Sequence, residues 1–160
     1  MVLGATWYVS HTSWYVDSTL LNQTRHEWRQ LGFFYDWSDD RNEWSIIGSR
    51  SGLSAFVDLL RRYAHDPRNG ALSEHENIGP YMYLKITTAL DRGIDADGIR
   101  GSLPDVLALA NLVQEAMDAM EPGQHVRICR EFSLASLGGI CLELRSDDFD
   151  PSSVDDTLRG

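Results

Sequence analysis

Two similar stretches of this sequence limit its possible folds more than any other feature. The first begins at Ile46-Ile47-Gly48-Ser49 and the second at Ile99-Arg100-Gly101-Ser102. In each stretch a short strand pattern leads into Gly-Ser and then into an amphipathic helix pattern. The serines, Ser49 or Ser51 in the first stretch and Ser102 in the second, offer side-chain oxygens that can cap the helices. The sequence therefore predicts two strand–turn–helix units of the same design.

The apolar positions of the two predicted helices follow the same order. They are Leu53, Phe56, Val57, Leu60, Tyr63 and Ala64 in the first helix, and Val106, Leu109, Ala110, Val113, Ala116 and Met117 in the second. Each residue of the second set lies 53 positions after its counterpart. Because this spacing places the side chains on one helix face, both helices are predicted to bury that face. We interpret the stretches of about residues 44–95 and 97–146 as pseudo-repeats, each of β-α-β-β order. An internal duplication is one explanation of this similarity.

Strand patterns on either side of the helices predict a sheet. Residues 32–37 and 44–47 flank a polar turn and predict a hairpin, and residues 81–87, 125–129 and 140–144 predict further strands. So few helices cannot supply parallel crossovers throughout a sheet. We therefore expect an α+β fold, in which a two-layer, mostly antiparallel sheet carries two main helices on one face.

The chain is expected to form a single α+β domain over residues 1–146. Residues 1–44 are predicted to be a tryptophan-rich β region. Within this region Leu20, Leu21, Thr24, Trp28 and Leu31 recur near helical spacing, which leaves a short helix open as an alternative. Residues 147–160 are acidic and polar, and we expect a frayed tail there because such a segment buries little apolar area.

Charge narrows the range of partners. The chain of 160 residues has a net charge of −10, which argues against binding to nucleic acid or to anionic lipid. The same charge suits a basic protein partner, or serves solubility alone. The first residues lack a signal-peptide pattern, and no apolar run reaches the length of a membrane span. With two cysteines in the chain, a cytoplasmic, reduced protein is the expectation.

No established catalytic or cofactor-binding motif is present, and we predict no catalytic residue, metal or cofactor. The polar connection from Asp66 to Pro80 contains the candidates Glu74, His75 and Glu76. Imidazole and carboxylate groups bind metals, but this spacing matches no established site and is more typical of a solvated loop. His125 and Cys129 would share one face of a strand, which leaves a thiolate–imidazole pair open beside the reading of Cys129 as a small buried hydrophobe.

The distribution of aromatic residues is the most unusual feature of the chain. All five tryptophans lie within the first 44 residues, interleaved with tyrosine and phenylalanine. A sheet covered by helices on one side would expose aromatic surface on the other, and such surface marks binding sites. The predicted binding face comprises Trp7, Trp14, Trp28, Phe34, Trp37 and Trp44. The alternative is that the N-terminal segment folds back and buries these rings.

One resemblance concerns the stretch from Trp44 to Leu53, Trp-Ser-Ile-Ile-Gly-Ser-Arg-Ser-Gly-Leu, with its helix, together with the strand near Ile140-Cys141-Leu142-Glu143-Leu144. This arrangement resembles small bacterial immunity-type domains found beside polymorphic toxins, and uncharacterised bacterial α+β domains of similar build. It covers roughly the last two thirds of the chain and leaves the tryptophan-rich start outside. The resemblance implies a cytosolic protein that binds and blocks a toxin, without cofactor or catalysis.

Three functional hypotheses follow from the sequence. The first is a non-catalytic protein-binding module, an immunity or inhibitor protein whose partner is a protein, such as a basic toxin. The second is a small-molecule-binding domain with the aromatics lining a cleft, and the third is an enzyme that uses the His75 loop or Cys129. A homodimer through the exposed sheet face also stays open.

Overall fold

The computed structural model describes residues 18–128, 131–132 and 138–158. In chain order the main elements are α1 over residues 18–31, β1 Phe33–Ser38, β2 Glu43–Gly48, α2 Arg50–His65, β3 His75–Ile78, β4 Leu84–Thr88, β5 Gly93–Asp95, β6 Gly98–Gly101, α3 Leu103–Asp118, β7 His125–Ile128 and β8 Gly139–Leu144. Short 3₁₀ helices lie at Pro67–Gly70, Pro151–Val154 and Asp156–Leu158. The predicted α+β class is confirmed.

The strands form two four-stranded mixed sheets, in the orders β1-β2-β8-β7 and β3-β4-β6-β5. The pairs β1/β2, β3/β4, β5/β6 and β7/β8 are antiparallel, whereas β2/β8 and β4/β6 run parallel at the centre of each sheet. The expectation of one two-layer sheet with both helices on one face is therefore wrong. The predicted β1–β2 hairpin is present, and three further antiparallel pairs are divided between the two sheets.

The division of the strands between two sheets reflects a repeated order of elements along the chain. Each half of the chain has the order strand, strand, helix, strand, strand, and α2 and α3 have 16 residues each. The first hairpin of each half joins the second hairpin of the other half, with equivalent registers at Ile46↔Leu142 and Ile99↔Ile86. Neither half completes a sheet on its own, so the two halves interlock.

The two central helices begin where the sequence predicts. The Ser49 hydroxyl accepts the backbone N–H of Gly52 at 3.2 Å. Ser102 and Asp105 form a reciprocal capping box, in which each side chain accepts the other residue's backbone N–H. The two helices pack mainly against each other, and α2 also contacts β1 and β2 while α3 contacts β6, β7 and β8. Their apolar faces belong to one core cluster that both sheets share.

The tryptophan-rich start is not a β region throughout. Residues 18–31 form a helix, and the first described strand begins at Phe33. The turn after this helix places Gly32 at φ +93°, and the Gly32 N–H donates to the Trp28 carbonyl at 3.0 Å. The helical spacing from Leu20 to Leu31 was therefore the better guide than the aromatic composition. No helix among the described residues has the length and apolarity needed to cross a bilayer.

The acidic C-terminal segment packs on the domain, which corrects the expectation of a frayed tail for its described part, residues 147–158. Asp150 pairs with Arg29 of α1 at 2.9 Å, the Leu158 carbonyl accepts from Arg25 at 2.8 Å, and the Leu158 side chain is buried. The segment has little apolar surface to bury. Instead, its carboxylates and backbone carbonyls accept hydrogen bonds from specific donors in α1. Amino-acid composition alone does not reveal such partners.

Candidate functional site

A cavity of about 480 Å³ lies where α1, the β1–β2 hairpin, the β3–β4 connection, the β5–β6 turn and the C-terminal segment meet. Four residues of the predicted aromatic face line it, namely Trp28, Phe34, Trp37 and Trp44. Three tyrosines complete its ring-bearing walls: Tyr35, Tyr81 and Tyr83. We call this space the aromatic cavity. Its volume falls within the range of about 300–1,000 Å³ that is usual for ligand pockets.

The rings around the cavity contact one another as a continuous network. Trp28 lies at its centre, with ring centroids 4.8 Å from Phe34, 5.0 Å from Tyr35 and 6.0 Å from Tyr81. Tyr35 leads on to Trp44 and then to Trp37, and Tyr81 leads to Tyr83. Contacts of this kind hold the large flat rings in fixed orientations. They also stabilise the fold slightly more than the burial of apolar area alone does.

The indole N–H groups of the cavity are all held by the protein. Trp44 Nε1 donates to the Asp95 carbonyl at 2.7 Å and thereby joins the β1–β2 hairpin to the β5–β6 turn. Trp37 Nε1 donates to Asp39 at 2.8 Å, and Trp28 Nε1 donates to Asp155 at 2.8 Å. The tryptophans therefore present ring surface to the cavity rather than free donors.

Asp155 anchors the wall that the C-terminal segment supplies. One of its oxygens accepts from Trp28 Nε1 and from the Tyr81 hydroxyl at 2.8 and 2.6 Å, and the other accepts from the Thr157 backbone N–H and hydroxyl at 3.0 and 2.7 Å. Burial opposes the charged form, but the hydrogen bonds from Tyr81, Thr157 and Trp28 outweigh it and hold the pKa of Asp155 below its usual range. Asp155 is therefore a buried carboxylate that stays charged.

The cavity is acidic as well as aromatic. Asp36, Asp97, Asp155 and Asp156 line it, and no described lining residue is Lys, Arg or His. Burial raises the pKa of Asp36, and the neighbouring charges of Asp155 and Asp156 raise it further against a hydrogen bond from the Trp37 backbone. Carboxylates that repel one another in this way create a local site for positive charge.

One side of the cavity carries exposed apolar surface. Tyr83 is 70% exposed and stacks on Tyr81, with centroids 5.6 Å apart and planes 24° apart. The neighbouring Met82 is also largely exposed, and it adopts a left-handed backbone conformation with φ 57°. Trp28 and Trp44 are buried, whereas Phe34 and Trp37 are half-buried. The aromatics thus form neither a flat exposed face nor a closed core, but a wall that runs from the core to the surface.

The other sequence-predicted candidates lie elsewhere. Glu74, His75 and Glu76 are exposed, and His75 begins strand β3, so the predicted loop is partly a strand. None of the three lines the aromatic cavity, and no cluster of three His, Cys, Asp or Glu side chains suited to a metal occurs in the described ranges. Trp7, Trp14 and Cys129 lie outside the described residues.

Tyr35 in the cavity wall and Cys141 outside the cavity both have raised pKa values. Burial raises the pKa of Tyr35 to about 12 against backbone hydrogen bonds that lower it, so the phenol stays protonated and donates to the Ile78 carbonyl at 2.5 Å. At Cys141, on the outer face of β8, burial and then the charge of Glu43 raise the pKa of the thiol. A raised pKa disfavours the reactive thiolate at neutral pH.

Sequence reasoning missed the tyrosines and the acidic wall of the cavity. Residues 81–83 were assigned to a strand, whereas β4 begins only at Leu84, and Asp155 was assigned to the tail. The Gly79-Pro80 turn signal immediately before Tyr81 was the available indication that this segment is a connection.

Comparison with known proteins does not assign the cavity to a family. No protein-family model matches the chain, and neither the curated proteins nor the solved structures contain a match. The proposals below therefore rest on the chemistry of the site.

Proposed function

We propose that this chain is a non-catalytic protein-binding module whose contact face is centred on the aromatic cavity. Its partner presents a basic segment, as a toxin bound by an immunity or inhibitor protein would. The single observation that carries the proposal is the combination of ring surface and carboxylates in one cavity whose lining includes the exposed Tyr83. Tyrosine and tryptophan in partly desolvated pockets dominate the energetics of protein interfaces.

Charge supports a basic partner at long range as well as at contact. The chain carries a net charge of −10, and the described lining of the cavity adds four carboxylates without a basic side chain. Such a field speeds the encounter with a positively charged surface, and the rate gain falls as salt screens it. The resemblance to immunity-type domains is consistent with this class of partner.

Affinity capture with matched variants tests the proposal. The wild type, a cavity variant carrying Asp36→Asn and Tyr83→Ala, and a control carrying Asp58→Asn and Leu90→Ala would each be immobilised and exposed to lysate of the source organism. Asp58 and Leu90 are exposed and lie outside the cavity. Both double variants lose one negative charge and one exposed apolar side chain, so they differ mainly in location.

We expect the wild type and the control to retain the same basic protein and the cavity variant to retain little of it. Retention of nothing above background at low and at physiological salt would contradict the proposal, as would equal retention by all three proteins. Circular dichroism confirms beforehand that the variants fold.

The cavity volume favours a second candidate, a small-molecule-binding domain. At about 480 Å³ the space accommodates a metabolite-sized ligand between the aromatic walls. Native mass spectrometry of freshly purified protein, followed by a thermal-shift screen of metabolites, tests this candidate. A bound small molecule whose stabilising effect disappears in the cavity variant would favour it over a protein partner.

A further inference from the structure

We propose that the aromatic cavity receives the guanidinium group of an arginine side chain that the partner inserts as an anchor. This inference rests on the proposed function and names the chemistry of its central contact.

The ring surfaces suit a flat cation. Tyr81 and Tyr83 stack nearly parallel, and the large exposure of Tyr83 leaves ring surface available for a third flat group. Trp37 presents a half-buried indole to the same cavity. A guanidinium over a tyrosine or tryptophan face gains cation–π attraction, and this gain grows as the site is shielded from water.

The carboxylates supply the complementary charge. Asp36 and Asp97 are exposed residues of the lining, on β1 and on the β5–β6 turn, whereas Asp155 is buried and both its oxygens already accept from donors. The buried charge of Asp155 attracts a cation, and Asp36 and Asp97 are placed to accept its N–H groups. No described lining residue is basic and would compete for these acids.

Arginine fits this arrangement better than lysine does. The guanidinium is planar, weakly hydrated and able to stack on a ring while donating sideways to a carboxylate. An ammonium group is a compact and strongly hydrated point charge, so its transfer into a cavity walled by seven aromatic residues sacrifices more hydration.

The test uses N-acetyl-arginine amide and its neutral isostere N-acetyl-citrulline amide as probes. Binding is read by NMR from the tryptophan indole N–H signals, since Trp28, Trp37 and Trp44 all line the cavity. We expect saturable shifts with the arginine probe and about tenfold weaker binding of the citrulline probe. The variant Asp36→Asn/Asp97→Asn should lose about tenfold in affinity for the arginine probe. The control Asp58→Asn/Asp91→Asn changes two exposed acids outside the cavity lining and should keep the affinity.

Equal binding of both probes would overturn the inference, as would equal binding of N-acetyl-lysine amide, or a shift reproduced by potassium chloride at the same ionic strength. Failure of the arginine probe while capture of a protein partner still depends on the cavity would refute the guanidinium anchor and leave the proposed function standing. Arginine binding without any cavity-dependent capture would refute the proposed function instead.

Discussion

At the scale of single residues, Asp155 connects the C-terminal segment to the wall of the aromatic cavity. The residue lies in an acidic segment without a recognisable motif, yet it holds Trp28, which is 127 positions away along the chain. Residues so distant in sequence are brought together only by the complete fold. By contrast, the capping residues Ser102 and Asp105 lie three positions apart, and sequence reasoning correctly placed a helix start there.

Replacement of Asp155 by asparagine should destabilise the protein by about 2–4 kcal/mol. One carboxylate oxygen accepts the Trp28 indole N–H and the other accepts the Thr157 backbone N–H. Whichever way the amide is turned, its NH₂ group faces one of these fixed donors. Urea denaturation measures the change, and Asp147→Asn, an exposed acid of the same segment, is the control. Equal stability of the two variants would contradict the anchoring role.

The stability of the wild type should fall in acid through the same residue. Hydrogen bonds hold the pKa of Asp155 below the value of about 3.9 that an aspartate has in the unfolded chain. The folded state therefore binds fewer protons than the unfolded state in this range. The stabilisation is fully present above the unfolded pKa and is lost as the pH falls through the lowered folded pKa.

Denaturation curves at a series of pH values check this dependence. The difference in the free energy of unfolding between the wild type and Asp155→Asn should be largest near neutral pH and should shrink below about pH 4. A difference that stays constant from neutral pH to pH 3 would show that the charge of Asp155 contributes nothing to the contact.

At the scale of elements, the two central helices and the β1–β2 hairpin were predictable from local patterns, and the sheet partners were not. The spacing of apolar residues such as Leu53 and Val106 predicted α2 and α3, and the polar turn after Trp37 predicted the β1–β2 hairpin. The parallel pairing of β2 with β8, however, joins opposite ends of the chain. A strand pattern indicates which side chains are buried, but it does not indicate which half of the chain supplies the neighbouring strand.

The parallel β4/β6 pair depends on Gly98. At φ +135° this residue has a backbone conformation that side chains rarely adopt, and a Cβ there would lie 2.0 Å from the Lys85 carbonyl oxygen. Gly98→Ala should therefore lower the free energy of unfolding by about 3 kcal/mol or more, since it combines backbone strain with a clash against the neighbouring strand. Thermal or urea unfolding measures the loss.

Gly123→Ala is the matched control for this prediction. Gly123 also has a positive φ, of +96°, but a Cβ there would have no neighbour within 4 Å. Its replacement by alanine should lower the free energy of unfolding by only about 1 kcal/mol, because only the backbone conformation is unfavourable there. If the two variants lost equal stability, the close approach of β4 and β6 would have no energetic consequence.

At the scale of the whole molecule, the aromatic cavity combines repeated and unrepeated parts of the chain. The β1–β2 hairpin and the β5–β6 turn belong to the two repeated halves, whereas α1 and the C-terminal segment lie outside them. The sequence showed an unusual aromatic start but could not show that an acidic tail would close over it. The repeat thus supplies the framework and part of the cavity wall, and the unrepeated segments complete the wall.

Site-specific photocrosslinking shows whether the aromatic cavity is the centre of a protein-binding face. The photoreactive amino acid p-benzoylphenylalanine would replace Tyr83 at the cavity in one protein and Leu72, which is exposed and outside the cavity lining, in another. Each protein is irradiated with the partner recovered by affinity capture. We predict a crosslink to a basic segment of the partner from position 83 and little from position 72. A crosslink from position 72 with none from position 83 would contradict it.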